Sequence, residues 1–114
     1  MKTIYTLPRP KVRMTGRSKY TKSAIQCLAY QREIAWSAKA LNLPRFPDGY
    51  LGLTVNFFVP KFHADLDNLV KAFLDGLQYG GIFKNDRQFV EIAAKQFIDK
   101  EEPRIEFEIE GVQR

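Results

Sequence analysis

The 114-residue chain has one cysteine, Cys27, so no disulfide can close within it and no multi-thiolate metal site can form. Zinc ribbons and disulfide-stapled secreted scaffolds are thereby excluded. No phosphate-binding glycine loop, Ser/His/Asp set or zinc motif is present, and His63 is the only histidine. Nor does any apolar run approach the roughly 20 residues that a membrane span needs. The opening Met1-Lys2-Thr3-Ile4-Tyr5 lacks the apolar core of a signal peptide. The expectation is a protein that stays in a reducing cytoplasm, with no membrane partner and no organic cofactor.

Acidic residues are nearly missing from the first part of the chain. Residues 1 to 45 carry ten Lys/Arg and one acid, whereas 46 to 114 carry eight Lys/Arg and twelve acids, which divides the net +5 into +9 and −4. The stretch from Arg9 to Lys22 holds six cations, no acid and a glycine, with Met14 and Tyr20 interleaved. It has neither helical nor strand periodicity and reads as a basic loop. Such a segment either forms a solvated face or meets a polyanion, and its cations Arg9, Lys11, Arg13, Arg17, Lys19 and Lys22 are candidates for phosphate contacts.

The rest of the chain has the material for a core: 45% of its residues are hydrophobic, among them nine Phe and five Tyr. Residues 3 to 7 are β-branched and aromatic and end at Pro8, which predicts a short strand. Thr21 or Ser23 can cap a helix running to about Leu41. Its apolar residues form two neighbouring stripes, Ile25, Leu28, Ala35 and Trp36 beside Cys27, Tyr30, Ile34 and Leu41, so a mostly covered helix is expected, with Cys27 and Trp36 in the core. After a turn-rich stretch, 50 to 59 alternates with Leu51, Leu53, Val55, Phe57 and Val59 on one side. A second helix begins near Asp65, with Leu66, Leu69, Val70, Phe73, Leu74 and Leu77 at the spacing of one face, and Gly80 is its expected stop. Two further alternating strands follow, 88 to 98 with Val90, Ile92, Ala94 and Ile98, and 104 to 110 with Ile105, Phe107 and Ile109. Glu106, Glu108 and Glu110 lie opposite on that last strand, as solubilising residues or guards of a sheet edge. The order β-α-β-α-β-β predicts one α+β domain, a small sheet with two helices packed on it.

The polar residues of the second helix carry the chemistry. Asp65 and Asp67 lie at its first turn, Lys71 follows one turn later on the polar face, and Asp86 stands in the loop after the helix, from which it can return to the same place. Oxygen donors in twos and threes suit magnesium, a hard cation that keeps several waters and takes the rest of its shell from carboxylates and substrate phosphates. A cation so placed, with a lysine beside the phosphate, supports in-line phosphodiester displacement. The same residues have plainer readings: Asp65 as a helix N-cap, Asp67 with Lys71 as an i, i+4 ion pair, and Asp86 after Asn85 as turn chemistry. His63 precedes the acidic turn, within reach of a substrate or metal there, although a lone loop histidine is usually a surface residue.

The run Asp65-Leu66-Asp67-Asn68-Leu69 with Lys71, then Asp86 followed by Gln88, resembles the RusA family of Holliday junction resolvases in residue type and in spacing. Pro8-Arg9-Pro10-Lys11 and its basic continuation are similar to that family's N-terminal region, and the likeness covers essentially all of 1–114. It implies a RusA-like mixed sheet and a homodimeric, Mg²⁺-dependent endodeoxyribonuclease of bacteria, prophages and phages. Such an enzyme binds four-way DNA junctions, nicks two opposing strands, and works on cytoplasmic, nucleoid-associated DNA in recombination, repair or phage DNA processing. Asp65, Asp67 and Asp86 would then be the metal-binding catalytic aspartates and Lys71 the catalytic lysine. Manganese is the natural substitute for magnesium. Two positions depart from the family pattern: Ala64 replaces a common proline, and Asn85 replaces the first member of a common acidic pair. A non-catalytic DNA-binding module, and a metal-dependent nuclease acting on other DNA or RNA structures, are the alternatives.

Overall fold

In the computed structural model, which describes residues 1–11 and 22–113, four strands and two helices follow the expected order. They are β1 (Lys2–Ile4), α1 (Lys22–Ala40), β2 (Tyr50–Val59), α2 (Leu66–Tyr79), β3 (Phe89–Ile98) and β4 (Arg104–Val112), with a short 3₁₀ turn, Asp86–Gln88, leading into β3. The strands form one mixed sheet in the order β1-β4-β2-β3. β4 pairs antiparallel with β1 and β2, while β2 and β3 run parallel, with α2 as the crossover between them. This pairing is what the pattern along the chain left undetermined.

Alternation decides which face of the sheet is covered. Leu51, Leu53, Val55, Phe57 and Val59 of β2 are all buried, as are Ile105 and Phe107 of β4. Both helices lie on that face, and the rings of Phe57, Phe73 and Phe107 meet edge to face, with centroids 6.2 and 5.0 Å apart. Along α2, Leu69, Val70, Phe73, Leu74 and Leu77 are buried, as their spacing requires. The two helices approach so closely that a Cβ on Gly76 would stand 2.6 Å from the Cβ of Ile34. α2 ends in a Schellman motif: Gly81 takes the left-handed conformation (φ +78°), its N–H bonds to the Gln78 carbonyl, and the Ile82 N–H reaches back to Leu77. The helix ends at Tyr79 with Gly80 as its C-cap, as expected; Gly80 itself keeps a right-handed φ of −76°, and the left-handed residue is the next one, Gly81.

Four expectations are corrected. β1 ends at Ile4, because only Lys2, Thr3 and Ile4 find partners on β4, and Tyr5 and Leu7 are exposed. α1 is covered along one stripe rather than two: Ala24, Cys27, Tyr30, Ile34 and Ala38 are buried, but Ile25, Leu28 and Trp36 face outward. Among the described residues α1 has α2 on one side only, so its second apolar stripe has nothing there to bury against. β3 is an edge strand that α2 covers only in part, along Ile92 and Ala94, which leaves Val90, Ile92 and Ile98 exposed, while Phe89 packs on Phe83. β4 is internal where β1 pairs with it, at Ile105, Glu106 and Phe107, so Glu106 guards no edge, while Glu108 and Glu110 lie beyond β1. Glu106 instead bonds Arg104 at 2.9 Å. The expected caps of α1, Thr21 and the Ser23 side chain, lie outside the described residues, as does most of the basic loop.

Candidate active site

Burying one face of α2 turns its polar residues outward, so Asp67 and Lys71 are exposed and one turn apart. Asp65 occupies the N-cap position with extended backbone (φ −67°, ψ 140°). Its carbonyl accepts the Asn68 and Leu69 N–H groups at 3.1 Å, but its carboxylate makes no capping bond. Asp67 stands in the first turn, where the helix dipole favours an anion.

Asp86 opens the 3₁₀ turn after α2, and a capping box sets its position. The Asn85 side chain accepts the Arg87 N–H at 2.9 Å, and Gln88 Oε1 accepts the N–H groups of Asn85 and Lys84, each at 2.9 Å. Gln88 Nε2 donates onward to the carbonyls of Phe46 (3.2 Å) and Gly49 (3.1 Å). A single side chain thus ties the turn to the loop that enters β2. The capping role of Gln88 is carried in the sequence by the Asn85-x-x-Gln88 spacing, beyond its place in the motif after Asp86.

The parallel β2-α2-β3 crossover sets this turn back beside α2. Asp67, Lys71 and Asp86 line one groove of about 640 Å³, whose apolar floor is Leu66, Val70, Leu74, Ile92 and Ala94. Asp65 precedes the helix and is not among the lining residues, and among the described residues no three of His, Cys, Asp and Glu are grouped tightly enough to hold a metal. Asp67 and Lys71 form no ion pair with each other. Two exposed carboxylates on an open groove provide hard oxygen donors and leave the remaining positions to water and phosphate, a donor set that fits magnesium rather than a softer metal. Gln96 of β3 adds a buried acceptor nearby: its Nε2 donates to the Ala64 carbonyl at 3.3 Å, and its Oε1 has no partner among the described residues.

Of the basic candidates, Lys11 is anchored on the same helix, its N–H bonding the Asn68 carbonyl at 3.3 Å and its ammonium pairing with Asp75 at 3.0 Å. The basic stretch therefore departs from the chain at the flank of α2. Arg9 is half-buried and Lys22 is exposed at the start of α1, while Arg13, Arg17 and Lys19 lie outside the described residues. His63 is exposed, donates from Nδ1 to the Lys61 carbonyl at 3.1 Å, and lines a different groove with Leu7, Pro60 and Lys100. No described helix is long and apolar enough to cross a membrane.

A family model described as Endodeoxyribonuclease RusA matches residues 3–110, nearly the whole chain. No curated protein matches it.

Proposed function

The chain belongs to the RusA endodeoxyribonuclease family, and from that premise we propose that it resolves four-way DNA junctions by magnesium-dependent phosphodiester hydrolysis, with Asp67, Asp86 and Lys71 at the centre of the site. One observation carries this reading: α2 and the turn after it bring two carboxylates and a lysine to one open groove, with no described ion pair engaging any of the three.

Asp67 and Asp86 are the residues that would hold the cation, with Asp65, whose carboxylate is not used as a cap, as the third ligand. A bound divalent cation supplies charge stabilisation at the phosphate and eases in-line displacement by water. Lys71 neutralises charge that builds on the scissile phosphate. Cations of the basic stretch, Arg9 and Lys22 with Arg13, Arg17 and Lys19, hold the DNA backbone, and Lys11 works from its Asp75 pair as an anchor for that stretch.

Two opposing strands need two sites, which a two-fold dimer presents in equivalent positions. The uncovered β3 edge, with Val90, Ile92, Phe97 and Ile98 exposed, supports a second copy of the chain as partner.

The test is a labelled four-way junction beside a matched linear duplex, each with Mg²⁺ and with EDTA, analysed on a denaturing gel. Paired, Mg²⁺-dependent cuts confined to the junction are expected, and Asp67→Asn should bind the junction without cutting it. Cleavage of both substrates would replace the junction reading with a general nuclease. Tight binding without cleavage under Mg²⁺ or Mn²⁺ would replace it with a non-catalytic module. Arg13→Ala and Lys19→Ala should weaken binding and flatten its salt dependence.

A further inference from the structure

The C-terminal ends of α1 and α2 meet in a second groove, on the opposite flank of α2 from β3. Its volume is about 350 Å³, and it is lined by Arg32, Ala35, Trp36, Lys39, Arg45, Tyr79 and Gly80. Trp36 is 71% exposed and Tyr79 62%. Close packing puts the two rings on one surface: the missing side chain of Gly80 lets α2 end against Ala35, where a Cβ would lie 3.1 Å from the Ala35 Cα. Three cations share the groove, and no acid lines it. Lys39 Nζ is 5.8 Å from the centre of the Trp36 ring, and Arg45 is fixed by its bond to the Gly81 carbonyl at 3.2 Å, with the rest of its guanidinium left to reach a ligand.

The helix dipole accounts for a cation in the last turn of α1. It gives no reason for an indole to stand in water beside that cation. Large aromatic rings interleaved with cations and free of acids form the surface that binds an unpaired nucleic-acid strand, in which the rings stack on bases and the cations track phosphates. A duplex hides its base faces and can use only the cations. Tyr79 lies twelve residues beyond Asp67 on one helix, so these two residues are separated by about 18 Å along its axis, a distance of several nucleotides.

We propose that this groove is a second DNA contact, which takes an unpaired nucleotide several steps from the scissile phosphate, its base on Trp36 and Tyr79 and its phosphates on Arg32, Lys39 and Arg45. The inference rests on the nuclease reading in taking DNA as the polyanion and in placing the scissile phosphate at the first groove.

Trp36 is the single tryptophan of the chain, so its emission reports this groove alone. In EDTA, the full chain is titrated with oligo(dT)₁₂ and with a 12-base-pair duplex, following Trp36 emission, and a labelled copy of each is followed in parallel by anisotropy. Oligo(dT)₁₂ should quench Trp36 in step with binding, and the duplex should bind with little quenching. Trp36→Ala and Tyr79→Ala, both exposed and so expected to fold, should each weaken oligo(dT)₁₂ binding on the order of tenfold. Arg32→Gln with Lys39→Gln should flatten the salt dependence. Three results overturn the proposal: binding that leaves Trp36 emission unchanged, no binding of oligo(dT)₁₂, or a concentration-dependent change in Trp36 emission without DNA, which would assign the surface to a second copy. Quenching by a protein that cuts no DNA in Mg²⁺ would keep this groove and end the nuclease reading, whereas cutting without quenching would do the reverse.

Discussion

Gln88 and Asn85 hold each other across the turn that presents Asp86: the Gln88 Oε1 accepts the Asn85 N–H at 2.9 Å, and the Asn85 side chain caps the same turn from the other end. The two donors on Gln88 Nε2 are used on Phe46 and Gly49, so its amide spans from this turn to the entrance of β2. Asp86 itself takes part in none of these bonds, which leaves its carboxylate available while its backbone is fixed.

Gln88→Ala removes all four side-chain bonds and should lower Mg²⁺-dependent cleavage at least tenfold while junction affinity in EDTA stays within about twofold, since a small misplacement of a reacting group is costly to rate. Gln88→Glu keeps the two accepted N–H groups and loses the two donated bonds, so it should fall between. Cleavage at the unmodified rate in Gln88→Ala would mean that the turn needs no brace.

Gly76 faces fully buried Ile34, and a methyl group there would overlap it. Alanine is the better helix former by about 1 kcal/mol, but overpacking a tight helix contact typically costs about 1–3 kcal/mol. Gly76→Ala should therefore be net destabilising in urea unfolding. Combined with Ile34→Ala, which removes the Cγ1 and Cγ2 atoms that a Gly76 methyl would meet, it should lose less than the two single changes added together.

Burial raises the ionisation of the Tyr30 phenol well above the ordinary tyrosine range, opposed in part by the Arg9 backbone, and the hydroxyl has no hydrogen-bond partner in the described residues. A buried hydroxyl without a partner carries a desolvation cost. Tyr30→Phe should leave stability unchanged or raise it by up to about 1 kcal/mol. A larger loss on thermal unfolding would assign the hydroxyl a hydrogen bond to the Arg9 backbone.

The Arg104 guanidinium holds the Asp99 carboxyl below the usual carboxylate value, helped by the N–H groups of Glu102 and Glu101. A carboxylate depressed in the folded state contributes stability that is complete above its unfolded pKa of about 4 and is lost as the pH falls through the folded value. Asp99→Asn keeps an acceptor for the two N–H groups and loses the charge. Its stability should depend less steeply on pH below about 5, with a lower value than the parent at neutral pH. Equal slopes in acid would show that the Arg104 pair contributes nothing.

What the chain determined by itself was whatever depends on neighbours a few residues away. The six-position face of α2 from Leu66 to Leu77, the alternation of β2 from Leu51 to Val59 and the order β-α-β-α-β-β are all local periodicities, and the placement of Asp67 and Lys71 on the outward side of α2 follows from them. Tertiary structure decided what depends on which elements become neighbours. The parallel pairing of β2 with β3 returns Asp86 to the groove of Asp67 and Lys71, and it makes β3 an edge, so Val90 and Ile92 stay exposed although their pattern matches that of a covered strand. Trp36 fits the apolar pattern of α1 as well as Cys27 does. Periodicity records the angle at which a side chain leaves a helix, whereas burial requires a second element on that side, and α2 packs mainly against the stripe that holds Tyr30, Ile34 and Ala38.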